Sequence, residues 1–343
     1  MMLIDTQLLY PEIKLVRRPP ANLIQADQAL FEKASHPTLA PTHLYHYRHV
    51  NVTPEGVVFR GLSIEKRFLI YPDHKRIYNT LHVASNRVKR RRIKLPANEN
   101  YLLFFDYWSN AIFHWMCDAL PRLEAVKTLA KDCVLLLPEH YQYPYIHETL
   151  RAFSCKAIYK FPVDAFLDCP ELYVPKQITT SGEINPTNFL ALRKTLLDYF
   201  KPEMSTIEYS PNIYISRSEA KYRKVLNEPD LITLLDKYDF KVIHFEKLSV
   251  KEQVETAFYA KNMISLHGAN LTNATFMQPG GNVMELRKNG DTENNYYYSL
   301  TDSIGCNYYY LNCAYRDTRP GNFFDVEVDL EKFEEVLEQM LGR

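Results

Sequence analysis

The chain has 343 residues, which is long enough for two domains of ordinary size. Its 41 basic and 41 acidic side chains balance, so no overall electric field attracts nucleic acid, and an anionic ligand has to be held by locally placed charges. The hydrophobic content of 46% is typical of soluble globular proteins, and no stretch has the roughly 20 apolar residues that span a bilayer. We therefore expect neither a general nucleic-acid binder nor an integral membrane protein.

Two features of the sequence favour a cytoplasmic location. The N-terminal residues lack the long apolar run after a basic start that marks a secretory signal. The six cysteines are scattered, with neither a C-x-x-C pair nor a zinc-binding spacing, which is typical of reduced thiols. They are Cys117, Cys133, Cys155, Cys169, Cys306 and Cys313.

The first half of the chain is predicted to be an irregular mixture of strands and helices. Strands are expected at Gly56–Arg60, Phe68–Tyr71, Tyr78–Val83, Tyr101–Phe105 and Cys133–Leu137. Helices are expected from about Asn110, near Pro144–Phe153 and over Asn185–Phe200. A linker lies near Lys201–Pro211, and we place a domain boundary within it, after residue 205.

The second half is predicted to alternate regularly between strands and helices. Its strands are expected at Asn212–Arg217, Phe240–Phe245, Asn262–Leu266, Asn282–Leu286 and Asn307–Leu311. Its helices are expected after the caps Asn227 and Ser249, near Leu271–Met277 and over about Thr292–Ile304. Such alternation builds a parallel sheet with helices on both faces, and ligands bind outside the carboxyl ends of its strands.

We therefore predict three parts of the chain. An N-terminal α/β domain covers residues 1–205, a C-terminal Rossmann-like domain covers residues 206–328, and a final helix lies within residues 329–343. That helix starts at the cap Asp329 and carries apolar residues on one side, so it needs a partner surface. The first domain is one candidate for that surface.

The predicted helix near residue 110 carries a stripe of polar residues among apolar ones, namely Asn110, His114, Asp118 and Arg122. Spacing by four places them along one side of the helix, as expected for a buried helix that faces a cleft. A carboxylate one turn from a histidine orients the ring and stabilises imidazolium, which suits a general base. A structural interpretation stays open, in which His114 and Asp118 only satisfy each other in a core.

Two arginines follow the first strand of the second half. Arg217 ends that strand, and Arg223 lies in the loop beyond it. Guanidinium groups at a strand end match phosphate oxygens in a bidentate way. Solvated surface charge is the alternative interpretation.

The turn after strand Asn262–Leu266 has features of an anion site. Gly268 permits close backbone approach, and amide groups at the following helix start attract anions. Glu285 ends the next strand, where a carboxylate can accept from both hydroxyls of a ribose. No complete G-x-G-x-x-G and no D-x-D pair is present. Arginines and helix-end amides, rather than Mg²⁺ or Mn²⁺, are then expected to neutralise a diphosphate.

Two other clusters carry weaker signals. His43, His46 and His49 fit no common metal spacing, so we predict no metal site. The basic segment Arg87–Lys94 is predicted to be a solvated loop or edge strand. Peripheral contact of this segment with anionic lipid headgroups, or with an anionic acceptor, is the alternative.

Taken together, three stretches resemble the glycosyltransferase 61 family, which includes bacterial capsular-polysaccharide enzymes and eukaryotic O-linked N-acetylglucosamine and xylose transferases. The family pattern of two arginines and Asn-Glu falls on Arg217, Arg223, Asn227 and Glu228. Its His-Gly-Ala turn and following Thr-Asn fall on residues 267–269 and 272–273. The stretches are Asn110–Leu123, Tyr214–Glu228 and Ala257–Leu286.

The resemblance implies a GT-B-like α/β fold, with two Rossmann-like domains facing across a cleft, and inverting, metal-independent transfer. His114 would be the base that deprotonates the acceptor, oriented by Asp118, or Asp118 itself would be the base. Arg217 and Arg223 would hold the diphosphate, and Glu285 the ribose. The phosphates or the sugar would lie near His267, Gly268, Ala269, Asn270 and Asn273. Further cleft candidates are Asn110, Asn227 and Glu228.

The expected partners are a nucleotide sugar, UDP-linked, and a glycan or lipid-linked glycan acceptor of surface polysaccharide (capsule or LPS) biosynthesis. No cofactor, metal or nucleic acid is expected, and the oligomeric state is open. Two other functions remain: a GT-B-like pyruvyl transfer to polysaccharide, and a non-catalytic glycan- or nucleotide-binding module. The presence of both His114 and the arginine pair argues against the module, since it needs no general base.

Overall fold

The structure is a computed structural model that describes residues 2–69, 72–319 and 323–343. The chain divides into two compact units, and it crosses between them more often than one boundary after residue 205 predicts. The first unit comprises Met1–Ile13, Thr38–Ser181 and Thr187–Thr195, and the second comprises Lys14–Pro37, Gly182–Pro186 and Leu196–Arg343. Within the described residues, none of the helices is long and apolar enough to cross a bilayer.

A mixed sheet organises the first unit. Its order is Ala157–Phe161, Cys133–Pro138, Asn100–Leu102, Ala165–Pro175, Thr42–Val52, Val58–Arg60 and Ser63–Ile64. Met2–Tyr10 adds to Thr42–Val52, and Arg91–Lys94 adds to Ala165–Pro175. The strands from Ala157–Phe161 to Ala165–Pro175 run parallel, whereas Thr42–Val52 pairs antiparallel with each of its neighbours. The basic segment predicted as a loop or edge strand forms a helix end and the strand Arg91–Lys94.

The helices of this unit differ from the prediction in several places. The expected strand Tyr78–Val83 is wrong, because the side chain of Asn79 accepts from the backbone N–H of His82 and starts the helix Thr80–Lys89. Of the expected strand Phe68–Tyr71, Phe68 ends a 3₁₀ helix, and residues 70 and 71 lie outside the described residues. The other helices, apart from the one near residue 110, are Pro72–Ile77, Lys127–Ala130 and Pro144–Leu150. The helix Pro186–Phe200 spans parts of both units.

A parallel sheet organises the second unit, as predicted. Its order is Lys241–Ile243, Asn212–Ile215, Asn262–Leu266, Asn282–Lys288, Asn307–Arg319 and Phe323–Glu327. Only the last pairing is antiparallel. Asn212–Ile215 comes first among these strands along the chain, but it lies between Lys241–Ile243 and Asn262–Leu266 in the sheet. The strand order reverses at this point, and α/β sheets bind ligands at such a switch.

Helices connect the strands of this sheet in the predicted places. Ser249 and Glu252 form both hydrogen bonds of a capping box at the start of Val250–Tyr259. The segment after the glycine turn is a 3₁₀ helix, Ala269–Phe276. The remaining helices are Gln28–Ser35, Glu228–Asp236, Tyr296–Ser303 and Leu330–Leu341, with 3₁₀ turns at Gln25–Asp27, Pro202–Met204 and Phe245–Lys247. Two short strands, Ile13–Lys14 and Thr38–Leu39, precede and follow the helix Gln28–Ser35 along the chain.

The C-terminal helix belongs to the core of the second unit. Phe333, Leu337 and Met340 pack in the cluster that also contains Leu231 and Leu235 of the helix Glu228–Asp236. The suggestion that this helix packs on the first domain is therefore corrected. Its apolar side packs against residues of the preceding sheet and of the helix Glu228–Asp236. The strand Phe323–Glu327 ends shortly before this helix begins.

Replacing Leu337 by Ala should lower the free energy of unfolding of the second unit by about 2–5 kcal/mol, because the side chain is fully buried and its removal leaves a cavity. Urea denaturation measures the change. Glu335→Ala, at an exposed position of the same helix, is the matched control and should change stability by less than about 0.5 kcal/mol. Equal midpoints for the two variants would contradict this packing.

Candidate active site

The predicted helix near residue 110 is interrupted in the first unit. A 3₁₀ turn at Tyr107–Asn110 leads into the short helix Ile112–His114, a π-helical turn at Trp115–Ala119 and the helix Leu120–Ala125. Pro121 has no N–H to donate to the carbonyl of Cys117, which favours a wider turn. Single π turns inside helices occur frequently at functional sites.

This turn brings together a histidine, an aspartate and a serine. Nδ1 of His114 lies 2.7 Å from Oδ2 of Asp118, and Oγ of Ser181 donates to the same oxygen at 2.9 Å. Carboxylate oxygens act as acceptors, so this contact gives the donor role to Nδ1 of His114. The side chain of His114 is 22% exposed and that of Asp118 only 2%. Of the His114–Asp118 pair, the imidazole is therefore the member that reaches solvent.

The polar stripe runs from the surface into the interior. Arg122 is buried and its Nε donates to the carbonyl of Pro175 at 2.9 Å, with Asp106 4.0 Å from the guanidinium. Burial, and then the charge of Asp118, raises the pKa of Asp106, and Arg122 opposes the shift. Arg122 therefore holds the buried end of the polar stripe in place. At the other end, Oδ1 of Asn110 is buried and accepts no hydrogen bond from the described residues.

In the second unit, the strand ends that were predicted to carry a ligand site lie side by side. Ile215, Ser265 and Glu285 are in register across three neighbouring strands. Arg217 follows the first of these strands and His267 the second. The sheet thus brings Arg217 and His267 to its switch point.

The two arginines of this unit lie close to each other and form no ion pair with the described residues. Nε and Nη2 of Arg217 donate to the backbone carbonyls of Arg223 and Tyr222 at 3.1 and 3.2 Å. Nε of Arg223 is buried without a partner, and neither guanidinium forms an ion pair within residues 2–69, 72–319 and 323–343. Burial, followed by the charge of Arg223, lowers the pKa of Arg217. An anion bound here would offset both the desolvation of the guanidiniums and the repulsion between them.

The glycine of the predicted turn touches this pair. A Cβ atom at Gly268 would lie 2.7 Å from Nη1 of Arg217, so the guanidinium occupies the space that a larger residue would fill. Arg223 itself has a positive φ of 59°, uncommon for a residue with a side chain. Such outliers concentrate at functional sites.

A buried network holds His267. Its Nδ1 contacts Oε1 of Glu285, whose Oε2 accepts from the hydroxyl of Tyr308 at 2.5 Å. Arg287 donates to that hydroxyl at 3.2 Å. Within the described residues, Nε2 of His267 has no hydrogen-bond partner. Glu285 is fully buried, so the predicted contact with a ribose is corrected: its carboxylate orients His267 instead.

The remaining candidates of this unit support the loops. Glu228 is buried and accepts from Tyr214 and Ser216, at 2.7 and 2.9 Å, which fixes the end of the strand before Arg217. Asn227 exchanges two hydrogen bonds with the backbone of Val328. The amide of Asn273 donates to the carbonyl of Asn270 at 3.2 Å, and Ala269 and Asn270 are half-buried at the start of the 3₁₀ helix.

Sequence reasoning missed several residues of these sites. Ser181 lies far from Asp118 along the chain, and Tyr308 lies in a strand where tyrosines look like ordinary core residues. No motif marks either one. No group of three or more His, Cys, Asp or Glu side chains with metal-binding geometry occurs in the parts of the chain that the structure describes.

A family model described as "Glycosyltransferase 61" matches residues 112–284, just over half of the chain. The chain belongs to the glycosyltransferase 61 family. The match begins two residues before His114 and ends one residue before Glu285, so it contains Asp118, both arginines and the glycine turn.

One curated relative matches a shorter stretch. It is an EGF domain-specific O-linked N-acetylglucosamine transferase of Drosophila melanogaster, and it is 34% identical over 90 residues. The match covers 25% of this chain and 16% of the fly protein, so this chain spans a small part of that relative's length.

Tyr308→Phe should lower the free energy of unfolding by about 1–3 kcal/mol, because it removes a donor from the buried carboxylate of Glu285. Tyr309→Phe is the matched control: the neighbouring hydroxyl forms no hydrogen bond within the described residues, and its loss should be close to neutral. Chemical denaturation of both variants provides the comparison. Equal stabilities would argue against the buried network.

Proposed function

We propose that this protein transfers a sugar from a nucleotide-linked donor to a hydroxyl group of a glycan acceptor, with inversion at the anomeric carbon. The observation that carries the proposal is the pair Arg217 and Arg223 at the switch point of a parallel sheet. Both guanidiniums are partly buried, and neither forms an ion pair with a described residue. Membership of the glycosyltransferase 61 family supports it. So does the relative, whose name specifies O-linked transfer.

The arginine pair is proposed to hold the diphosphate of the donor. Two adjacent positive charges match the charge of a diphosphate and can bind its oxygens in a bidentate way. Gly268 leaves room for the guanidinium of Arg217 at this turn, and Nε2 of His267 lies opposite the contact with Glu285. The donor nucleotide is proposed to be uridine-linked, as the resemblance implies.

His114 is proposed to act as the general base. Asp118 is almost fully buried and accepts from both His114 and Ser181, so it is better placed to orient the imidazole than to meet a substrate. The acceptor oxygen attacks the anomeric carbon as its proton passes to His114. The bond from that carbon to the diphosphate oxygen breaks, and its electron pair leaves with the nucleoside diphosphate.

Metal-independent transfer is part of the proposal. The negative charge that develops on the leaving diphosphate needs a positive partner, and a guanidinium pair supplies it in a preorganised form. The reaction also requires the two units to face a common substrate, the arrangement of a GT-B fold, which we propose on the basis of family membership.

Replacing Arg223 by Ala should weaken nucleoside diphosphate binding about 10- to 100-fold, since one charged hydrogen-bond donor is lost. Calorimetry with UDP, GDP and ADP, each with and without EDTA, measures the loss and tests metal independence. Lys221→Ala, an exposed cation on the same loop, is the control and should keep its affinity. Unchanged affinity in the Arg223 variant would remove this residue from the donor site, and affinity lost in EDTA would reject metal independence.

Replacing His114 by Ala should lower the rate of sugar transfer at least about 100-fold, the contribution of a positioned general base. Nucleoside diphosphate release from UDP-sugars is the readout, and calorimetric affinity for UDP should be retained. The variant Asp118→Asn tests whether Asp118 orients His114 or is itself the base. If Asp118→Asn is inactive while His114→Ala remains active, Asp118 is the base. Phosphate release from phosphoenolpyruvate would identify a pyruvyl transferase instead.

A further inference from the structure

A pocket of about 630 Å³ opens in the first unit beside the helix that carries His114. This volume falls within the roughly 300–1,000 Å³ that is typical of small-molecule sites. The residues at its mouth and walls include Glu55, Tyr107, Trp108, Asn110, Tyr143 and Tyr145. The function proposed above uses none of them.

Aromatic rings dominate the wall of this pocket and are exposed to an unusual degree. Tyr107 is 50% exposed, Trp108 42% and Tyr143 53%. The rings of Tyr143 and Tyr145 lie nearly parallel, with 7° between their planes and 5.5 Å between their centroids. Large aromatic side chains are normally buried, so their concentration at one opening indicates a binding surface.

Two polar groups of the pocket, on Glu55 and Asn110, are hydrogen-bond acceptors. Arg90 clamps the carboxylate of Glu55 with two hydrogen bonds, at 2.5 and 2.8 Å. Although burial acts to raise the pKa of Glu55, its hydrogen bonds to Arg90 and Thr53 lower it, so the group is ionised at neutral pH. Oδ1 of Asn110 is buried and has no partner in the described residues.

This combination selects for a neutral polyol. Aromatic faces pack on C–H groups, while the carboxylate and the amide oxygen accept from hydroxyls. No Lys or Arg lines the pocket among the described residues, so a phosphate would find no cationic partner on its wall. A sugar ring satisfies all of these groups, and a nucleotide does not.

The position of Trp108 links the pocket to the proposed base. Its ring centroid lies 5.9 Å from that of His114, with 33° between the planes. A ring bound against Trp108 therefore lies next to the imidazole. We propose that this pocket binds an uncharged sugar residue of the acceptor and presents its hydroxyl to His114. The acceptor role rests on the function proposed above, whereas the binding of a sugar does not.

The two tryptophans of the chain allow a direct test. Trp115 is fully buried, so Trp115→Phe leaves the exposed Trp108 as the single reporter. Methyl glycosides of glucose, galactose, mannose, xylose and N-acetylglucosamine are titrated while acrylamide quenching is followed. We expect at least one glycoside to shield Trp108. Saturation-transfer NMR of the unmodified protein with the same glycosides gives the answer independently, should the loss of the hydrogen bond from Trp115 to Thr149 impair folding.

A matched pair of tyrosine variants assigns the binding to the pocket. Tyr143→Ala should weaken the affinity for the shielding glycoside about tenfold, since a ring contact is lost. Tyr199→Ala removes a tyrosine of comparable exposure, 40%, that does not line the pocket, and should leave the affinity unchanged. Equal affinities of the two variants would overturn the proposal, as would shielding of Trp108 by UDP or by none of the glycosides.

The outcomes separate this proposal from the proposed function. Glycoside binding that depends on Tyr143 in a protein that transfers no sugar would support the pocket and reject the transferase. Active transfer with the same acceptor KM in Tyr143→Ala and in the unmodified protein would reject the pocket and keep the transferase. A raised acceptor KM with unchanged UDP affinity is the result we expect.

Discussion

Positive charge that forms no ion pair with the described residues is the constraint on which the second unit depends. Partial burial of two neighbouring guanidiniums lowers the stability of the folded chain. The pair lies where the strand order of a parallel sheet reverses. Backbone carbonyls hold Arg217, and a glycine leaves the space beside it. The network from His267 through Glu285 to Tyr308 fixes the orientation of the His267 imidazole.

The first unit solves a different problem with similar means. A reactive imidazole has to be held in one orientation while it remains accessible, and a π turn places Asp118 beneath His114 while Ser181 binds the same carboxylate oxygen. The more deeply buried pair of Arg122 and Asp106 helps to fix the position of this group. Both units therefore use a histidine oriented through Nδ1 by a buried carboxylate, one on a helix and one at a strand end.

The family and the aromatic pocket bear on different parts of the proposal. Membership of the glycosyltransferase 61 family rests on residues 112–284, which contain both histidines and both arginines. Most of the aromatic pocket lies outside or at the edge of that match, since Glu55, Tyr107, Trp108 and Asn110 precede residue 112. Tyr143 and Tyr145 of the same pocket lie within the match.

Local signals sufficed where helices and strands alternate regularly. The capping box at Ser249, the strand Asn262–Leu266 and the spacing of His114 and Asp118 were all predictable, because each depends on neighbours within a few residues. The strand Thr42–Val52 was not, because it depends on pairing with strands that are distant in the chain. The helix Thr80–Lys89 was missed although its cap, Asn79, is a local signal. Glu285 shows the difference most clearly. Its place at a strand end follows from the sequence, but its role depends on Tyr308 and His267, which approach the carboxylate only when three parallel strands align.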